Sequence, residues 1–290
     1  MPRRFLAALL LTLALGATAA FVLAGTLAAP QQRTISPPET TLALQPVHIP
    51  SANGHAVAGW FVQGQSGRPG ILLLHSLRSN RLEMLGRATF LNAAGYSVLL
   101  IDMQAHGETP GEHITFGYRE SFDAHAALRY LKSRVAGAKT GVIGVSLGGA
   151  AALLGDAPVD ADAVILEAVY STVGTAIENR LAIRLGELGR LLSPLLEWQI
   201  APRLGVAAAS LAPLTAIKRL TSPVLIIAGD EDRHTVREES AALFEAAREP
   251  KALWLIEGAR HQNLHRYAGT TYERRVLAFF ARYLDGDGTS

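Results

Sequence analysis

One serine stands among glycines. The stretch "TGVIGVSLGGAAALL", residues 140–154, sets Ser146 with Gly144 two positions before it and Gly148 two positions after. The apolar run Val142–Val145 has the make-up of a buried strand, and the Ala/Leu stretch from Leu147 that of a helix. Ser146 therefore sits at a sharp strand-to-helix turn. Such a turn crowds the surrounding chain, and glycine on either side removes the side chains that would collide. The hydroxyl is held out at a helix N-terminus, where the unpaired amides of Leu147 and Gly148 favour negative charge. This pattern suits an alcohol that adds to a carbonyl, with donors for the resulting oxyanion beside it.

A serine needs a base, and the base needs an orienting acid. "LIIAGDEDRHTV" ends an apolar run with Asp230, Glu231 and Asp232, and "WLIEGARHQNLH" ends the next with His261. Asp230 would lie at the strand tip. Asp232, two residues further out, reaches across to an imidazole more readily, so it takes the acid role ahead of Asp230. Glu167 follows another such run and is a third carboxylate to consider. His265, one helical turn past His261, reads as a packing or surface residue. The pair has i, i+4 metal spacing but no third ligand, so no metal is assigned. The chain has no cysteine, which removes disulfides, thiolate catalysis and Cys-ligated zinc. "GVIGVSLGG" has neither dinucleotide-binding spacing nor a phosphate-loop lysine. With 27 basic and 25 acidic residues and no basic block, nucleic acid is not an expected partner. No cofactor is called for.

The elements that must position these residues alternate along the chain. "LALQPVHI" and "AVAGWFVQG" read as a hairpin. "GILLLHS", "YSVLLIDM", "TGVIGVS", "DAVILEAV", "SPVLIIAGD" and "KALWLIEGA" read as strands buried on both faces. Helical periods lie between them, at residues 80–95, 118–134, 147 onward, 236–247 and 271–284. The expected fold is α/β: a mostly parallel eight-stranded sheet with helices on both faces. Residues 171–213 exceed an ordinary crossover, are apolar with a helical period and contain Pro194, Pro202 and Pro213. They are expected to form an inserted helical lid broken at those prolines.

The N-terminus carries Arg3 and Arg4, then an uncharged, mostly apolar run from Phe5 to Ala29. It is long enough to cross a bilayer as a signal anchor, while Ala17-Thr18-Ala19 offers a signal-peptide cleavage pattern. Either outcome places the remaining chain on the extracytoplasmic side, membrane-anchored or secreted. Residues 30–40 read as a Pro-rich linker and 41–290 as the catalytic domain.

From about residue 41 to 285 the chain resembles the α/β-hydrolase superfamily, especially its serine aminopeptidase-like and dienelactone-hydrolase-like branches. The resemblance rests on "LLLHS", "LLIDMQAHGET", "GVIGVSLGGA", "IAGDEDRHTV" and "EGARHQNL". It implies an acyl-enzyme on Ser146, proton transfer by His261 and an orienting acid at Asp232, the last residue of the matching Gly229–Asp232 segment. It also implies a second oxyanion amide at Leu77, beside that of Leu147. Two positions depart from the family. Ser76 replaces the usual glycine after His75, where it would alter the loop or donate through its hydroxyl. Gln104 replaces the usual arginine before His106, which removes an expected ion-pair partner. His75 and His106 are expected to be structural. The function so implied is hydrolysis of a carboxylic ester, or an amide or small peptide, with an apolar acyl part matching the apolar insertion. A tethered non-catalytic binding protein, and an acyltransferase or perhydrolase using the same residues, are the alternatives.

Overall fold

A computed structural model of the chain describes residues 16, 18 and 21–285. In chain order the strands are β1 (Gln31–Gln32), β2 (Gln45–Pro50), β3 (Ala56–Val62), β4 (Gly70–Leu74), β5 (Ser97–Ile101), β6 (His106–Gly107), β7 (Thr140–Val145), β8 (Ala163–Glu167), β9 (Val224–Gly229) and β10 (Lys251–Ile256). The α-helices are α1 (Leu85–Ala93), α2 (Glu120–Arg134), α3 (Leu147–Leu153), α4 (Val173–Leu185), α5 (Glu187–Glu197), α6 (Ile200–Leu204), α7 (Pro213–Ala216), α8 (Arg237–Ala246) and α9 (Leu264–Leu284).

Eight strands form one sheet in the order β10-β9-β8-β7-β4-β5-β3-β2. The hairpin β2–β3 and the β3–β5 pairing are antiparallel, and every other pairing in it is parallel. Strands β4, β5, β7, β8 and β9 are buried at every residue, as continuous apolar runs require when both faces are covered. One face packs on α1 and α9 through Leu91, Tyr272, Val276 and Phe280. The other packs on α2, α3 and α8 through Leu128, Leu131, Leu153 and Leu243. Burying each such side chain contributes about 1.5–3 kcal/mol. Because β4, β7, β8, β9 and β10 run parallel, the segments that follow them all emerge at one edge.

Two expectations change in the structure. The first half of the expected linker, residues 31–35, is docked along the body. β1 pairs in parallel with β6, Gln31 N donates to Ala105 O at 2.6 Å and Arg33 N to Gly107 O at 2.7 Å, and Ile35 is buried. The partner strand lies some 75 positions away, beyond any local pattern. Nor do the prolines break the insertion at Pro194 and Pro202. Pro194 sits inside α5, where the Ser193 hydroxyl donates to Arg190 O at 2.9 Å and serves the carbonyl that a proline nitrogen cannot. Pro202 falls in the first turn of α6, where its missing N–H is an orphan in any case. Pro213 opens α7.

Within α5 the residues Leu188, Leu191, Leu192 and Leu195 recur at i, i+3, i+4 and i+7, yet this stripe faces outward. Leu191 is 76% exposed and Trp198, just beyond, 79%. Gly189 faces the other way, where a Cβ would lie 2.3 Å from Leu181 O, so α5 rests closely on α4. Residues 21–28 are helical and Phe21 is 62% exposed. Most of the expected membrane segment, residues 5–15, 17, 19 and 20, lies outside the described residues. Among the described residues no helix is long and apolar enough to cross a membrane.

Under the sheet, Arg87 and Glu167 form an ion pair at 2.6 Å, both essentially inaccessible, with the Tyr272 hydroxyl on the same carboxylate. Arg87→Met should destabilise the fold by about 3–5 kcal/mol, because it strands a buried carboxylate. The double change Arg87→Met/Glu167→Gln should recover part of that loss. Urea denaturation midpoints of the three proteins check both statements.

Candidate active site

The turn after β7 is strained at Ser146, whose φ of 49° and ψ of −104° lie outside the regions open to L-residues at low cost. A backbone of this kind costs about 1–3 kcal/mol and persists only where its surroundings enforce it. Here they do. Ser146 N donates to Glu167 O at 2.7 Å. A Cβ on Gly148 would lie 2.4 Å from Leu74 O, and one on Gly144 2.6 Å from the Gly148 carbonyl. Helix α3 therefore starts directly against the end of β4, and only glycine fits at either contact. The Ser146 side chain hydrogen-bonds to no described residue and lines a cavity of about 550 Å³.

The segments after β9 and β10 are tied to each other. Asp230 N donates to Ile256 O at 3.2 Å and Glu231 N to Ala259 O at 3.0 Å. Of the candidate acids, Asp232 is the one that meets the histidine: its Oδ2 lies 2.7 Å from His261 Nδ1. Its Oδ1 accepts from the amides of His234 at 2.7 Å and Thr235 at 2.9 Å, and the side chain is fully buried. A neutral imidazole that donates through Nδ1 keeps its lone pair on Nε2. Asp230 instead accepts from Gly258 N at 2.7 Å, and Glu167 is taken by Arg87 and Tyr272 on the far side of the sheet. His265 is paired with Glu273 at 2.9 Å and packs on Phe90.

His234 was given no role by the sequence. Its ring stacks on His261 with centroids 5.0 Å apart, and it lines the cavity together with Ser146. Burial pushes its pKa down, and the neighbouring His261 acts in the same direction. Its only signal in the sequence was its position two residues after Asp232.

Across from Ser146 lies the segment after β4. The amides of Leu77 and Leu147 meet no acceptor among the described residues, and both residues border the cavity. The Ser76 hydroxyl is engaged elsewhere: its amide and its Oγ each donate to Glu83 Oε2 at 2.8 Å. Two buried histidines hold this segment. His75 donates through Nδ1 to Ser76 O at 2.7 Å and accepts at Nε2 from Met103 N. His106 donates through Nδ1 to Gln104 O at 2.9 Å and accepts at Nε2 from Arg78 N at 3.1 Å. Each ring is thus a fixed neutral tautomer, since a second proton would face an N–H donor. Burial depresses both pKa values, His106 to about 3, with His75 adding to that shift. Without an arginine at 104, the Asp102 carboxylate is met by Arg81 at 2.7 Å.

A strained serine after β7, an Asp–His pair after β9 and β10, and a glycine-buttressed helix start now share one sheet edge. The model of the alpha/beta hydrolase family matches residues 71–274. The chain belongs to this family. Among curated proteins it is 28% identical to YqkD of Bacillus subtilis over 241 residues, covering 80% of this chain and 77% of that one. It is 27% identical to human protein ABHD12B, covering 69% and 57%. Among solved structures, the alpha/beta hydrolase fold is shared with the Pyrococcus furiosus esterase Pf2001, at a TM-score of 0.70, 22% identity and coverage of 89% and 98%. An acylaminoacyl peptidase from Pyrococcus horikoshii has a TM-score of 0.64 at 15% identity, covering 87% of this chain and 43% of that one.

In this alpha/beta hydrolase the cavity walls come mainly from segments outside the sheet. Helices α4 and α5 contribute Val173, Ile177, Leu181 and Leu196, and the N-terminal segment contributes Leu23 and Leu27. That segment is fastened by Arg78 Nη1 on Thr26 O at 2.8 Å and by Ile114 N on Ala28 O at 2.9 Å.

His106 makes the fold acid-sensitive with a definite sign. Between pH 6.5 and about 3 the unfolded chain binds a proton that the folded one excludes. Stability therefore falls with pH through that window, and His106 adds no further loss below it. His106→Asn should reduce the drop in unfolding free energy between pH 7 and pH 4 by about 3 kcal/mol. Urea titrations at the two pH values measure it.

Proposed function

We propose that this alpha/beta hydrolase is a serine hydrolase that cleaves carboxylic esters through an acyl-enzyme on Ser146. The reading is carried by the contact of His261 with a buried Asp232 at 2.7 Å, on the sheet edge where the Ser146 hydroxyl opens into a cavity. Ser146 Oγ adds to the ester carbonyl and passes its proton to His261 Nε2. Asp232 stabilises the imidazolium, and the Leu147 and Leu77 amides bind the tetrahedral oxyanion. The intermediate collapses as His261 protonates the leaving alkoxide. Water then gives a proton to the same nitrogen and attacks the acyl-serine, and the second tetrahedral intermediate collapses as His261 returns that proton to Ser146 Oγ and the acid departs. No step calls on a metal or organic cofactor.

The apolar lining from α4, α5 and the N-terminal segment supports an apolar acyl part in the substrate, with α4 to α6 acting as the lid over Ser146. The apolar run from Phe5, and the exposed Phe21, Leu191 and Trp198 on segments that border the cavity, support a membrane-attached enzyme facing the extracytoplasmic side.

Ser146→Ala and His261→Ala should each lower kcat by about 10³-fold or more and abolish labelling by a fluorophosphonate probe. Asp232→Asn should cost about 10²–10⁴-fold while unfolding near the wild-type midpoint. Damage from Asp230→Asn in its place would reassign the acid. Extraction should release the full chain only with detergent. A soluble product with a new N-terminus near residue 20 would indicate cleavage instead.

A further inference from the structure

The cavity beside Ser146 is apolar but not uncharged. Arg78, Arg180, Arg184 and Arg203 all line it, and among the described residues no aspartate or glutamate does. Two of the four are tied to the N-terminal segment. Arg78 donates to Thr26 O, while Arg203 donates to Phe21 O and to Gln199. Arg180 is placed differently. Its one hydrogen bond to a described residue runs from Nη1 to Ala176 O at 2.9 Å, a turn back on α4, and no described carboxylate forms an ion pair with it. Arg184 follows at i+4, so two cations project from one side of α4.

The carboxylates whose fields reach Arg180 are Asp232 and Glu239. Both are committed to other donors. Asp232 holds two backbone amides and His261, and Glu239 holds the amide and hydroxyl of Ser171 and the amide group of Asn179. Arg180 is thus a half-buried guanidinium on an otherwise apolar wall, with no ion-pair partner among the described residues and donors left open toward the cavity. Burial accordingly pushes its pKa down, against the opposing pull of Asp232 and Glu239. The planar fork of donors fits a carboxylate or a phosphate in bidentate fashion.

We propose that Arg180 anchors an anionic group of the substrate, so that the preferred ester is an amphiphile joining an apolar acyl chain to a phosphate or carboxylate. The inference rests on hydrolysis at Ser146 and names the substrate class of that site. Arg180 would bind the charged end while the leucines of α4, α5 and the N-terminal segment take the chain. Arg184, at the more exposed end of α4, would add long-range attraction.

The test compares three esters with one acyl chain, decanoate: on glycerol, on glycerol phosphate, and on glycerol bearing a hemisuccinate. The full-length enzyme should show a kcat/KM at least about tenfold higher for one or both charged esters, and which one identifies the anion. Arg180→Gln should lower the charged-to-neutral ratio by about tenfold or more, and Arg180→Lys by less. A wild-type ratio near one, or a ratio that Arg180→Gln leaves in place, overturns the proposal. Binding of decyl phosphate and of decanol to full-length Ser146→Ala, measured by calorimetry, does not depend on turnover. Tighter binding of the phosphate that is lost on adding Arg180→Gln supports the anion site even if no ester is hydrolysed. Equal binding of the two ligands rejects it and leaves the hydrolase reading to its own test.

Discussion

The approach of α3 to the end of β4 is the contact on which the rest depends. Helix α3 begins so close to the Leu74 carbonyl that the residue at 148 can carry no side chain. That proximity forces the backbone at Ser146 to a positive φ and presents its hydroxyl to open space instead of to a hydrogen-bond partner. The strain is offset by burial of α3 at every residue and by the hydrogen bond from Ser146 to the strand beside it. The same crowding brings the Leu77 segment next to the start of α3, so the Ser146 hydroxyl and the Leu77 and Leu147 amides share one packing constraint.

Charges divide by location. Beneath the sheet and under the Leu77 segment, carboxylates are paired with arginines, as Glu167 with Arg87 and Asp102 with Arg81, and two histidines are held neutral by complementary partners. These groups fix geometry. At the Ser146 edge the pattern changes: the Ser146 hydroxyl, the Leu77 and Leu147 amides and the Arg180 guanidinium all keep donors that no described residue uses. Groups left unsatisfied at the rim of a cavity are what a substrate can satisfy, whereas unsatisfied groups in a core only cost stability.

The helical interval between β8 and β9 inverts the usual amphipathic rule. Its best-defined leucine stripe, on α5, looks outward, and the face with Gly189 and Leu196 looks inward. The N-terminal segment lies against the same cavity, so Leu23 and Leu27 are part of the wall beside Ser146.

The doubly buried strands, the α/β alternation and the glycine-flanked serine were legible in the sequence because each is a local pattern: continuous apolar runs, a helical period, and small residues where chain meets chain. That Ser146, Asp232 and His261 come to one sheet edge was legible for the same reason, since each follows an apolar run. What remained open were choices between near neighbours in sequence and partners distant in it. Asp232 and Asp230 differ by two positions, and only the turn that sends Asp230 to the Gly258 amide and Asp232 to His261 separates them. The stacking of His234 on His261, the docking of residues 31–32 on 106–107, the rescue of Pro194 by Ser193 and the lack of an ion-pair partner for Arg180 among the described residues belong to the same class. Each depends on which surfaces the fold brings within a few ångströms, and local sequence patterns do not encode that.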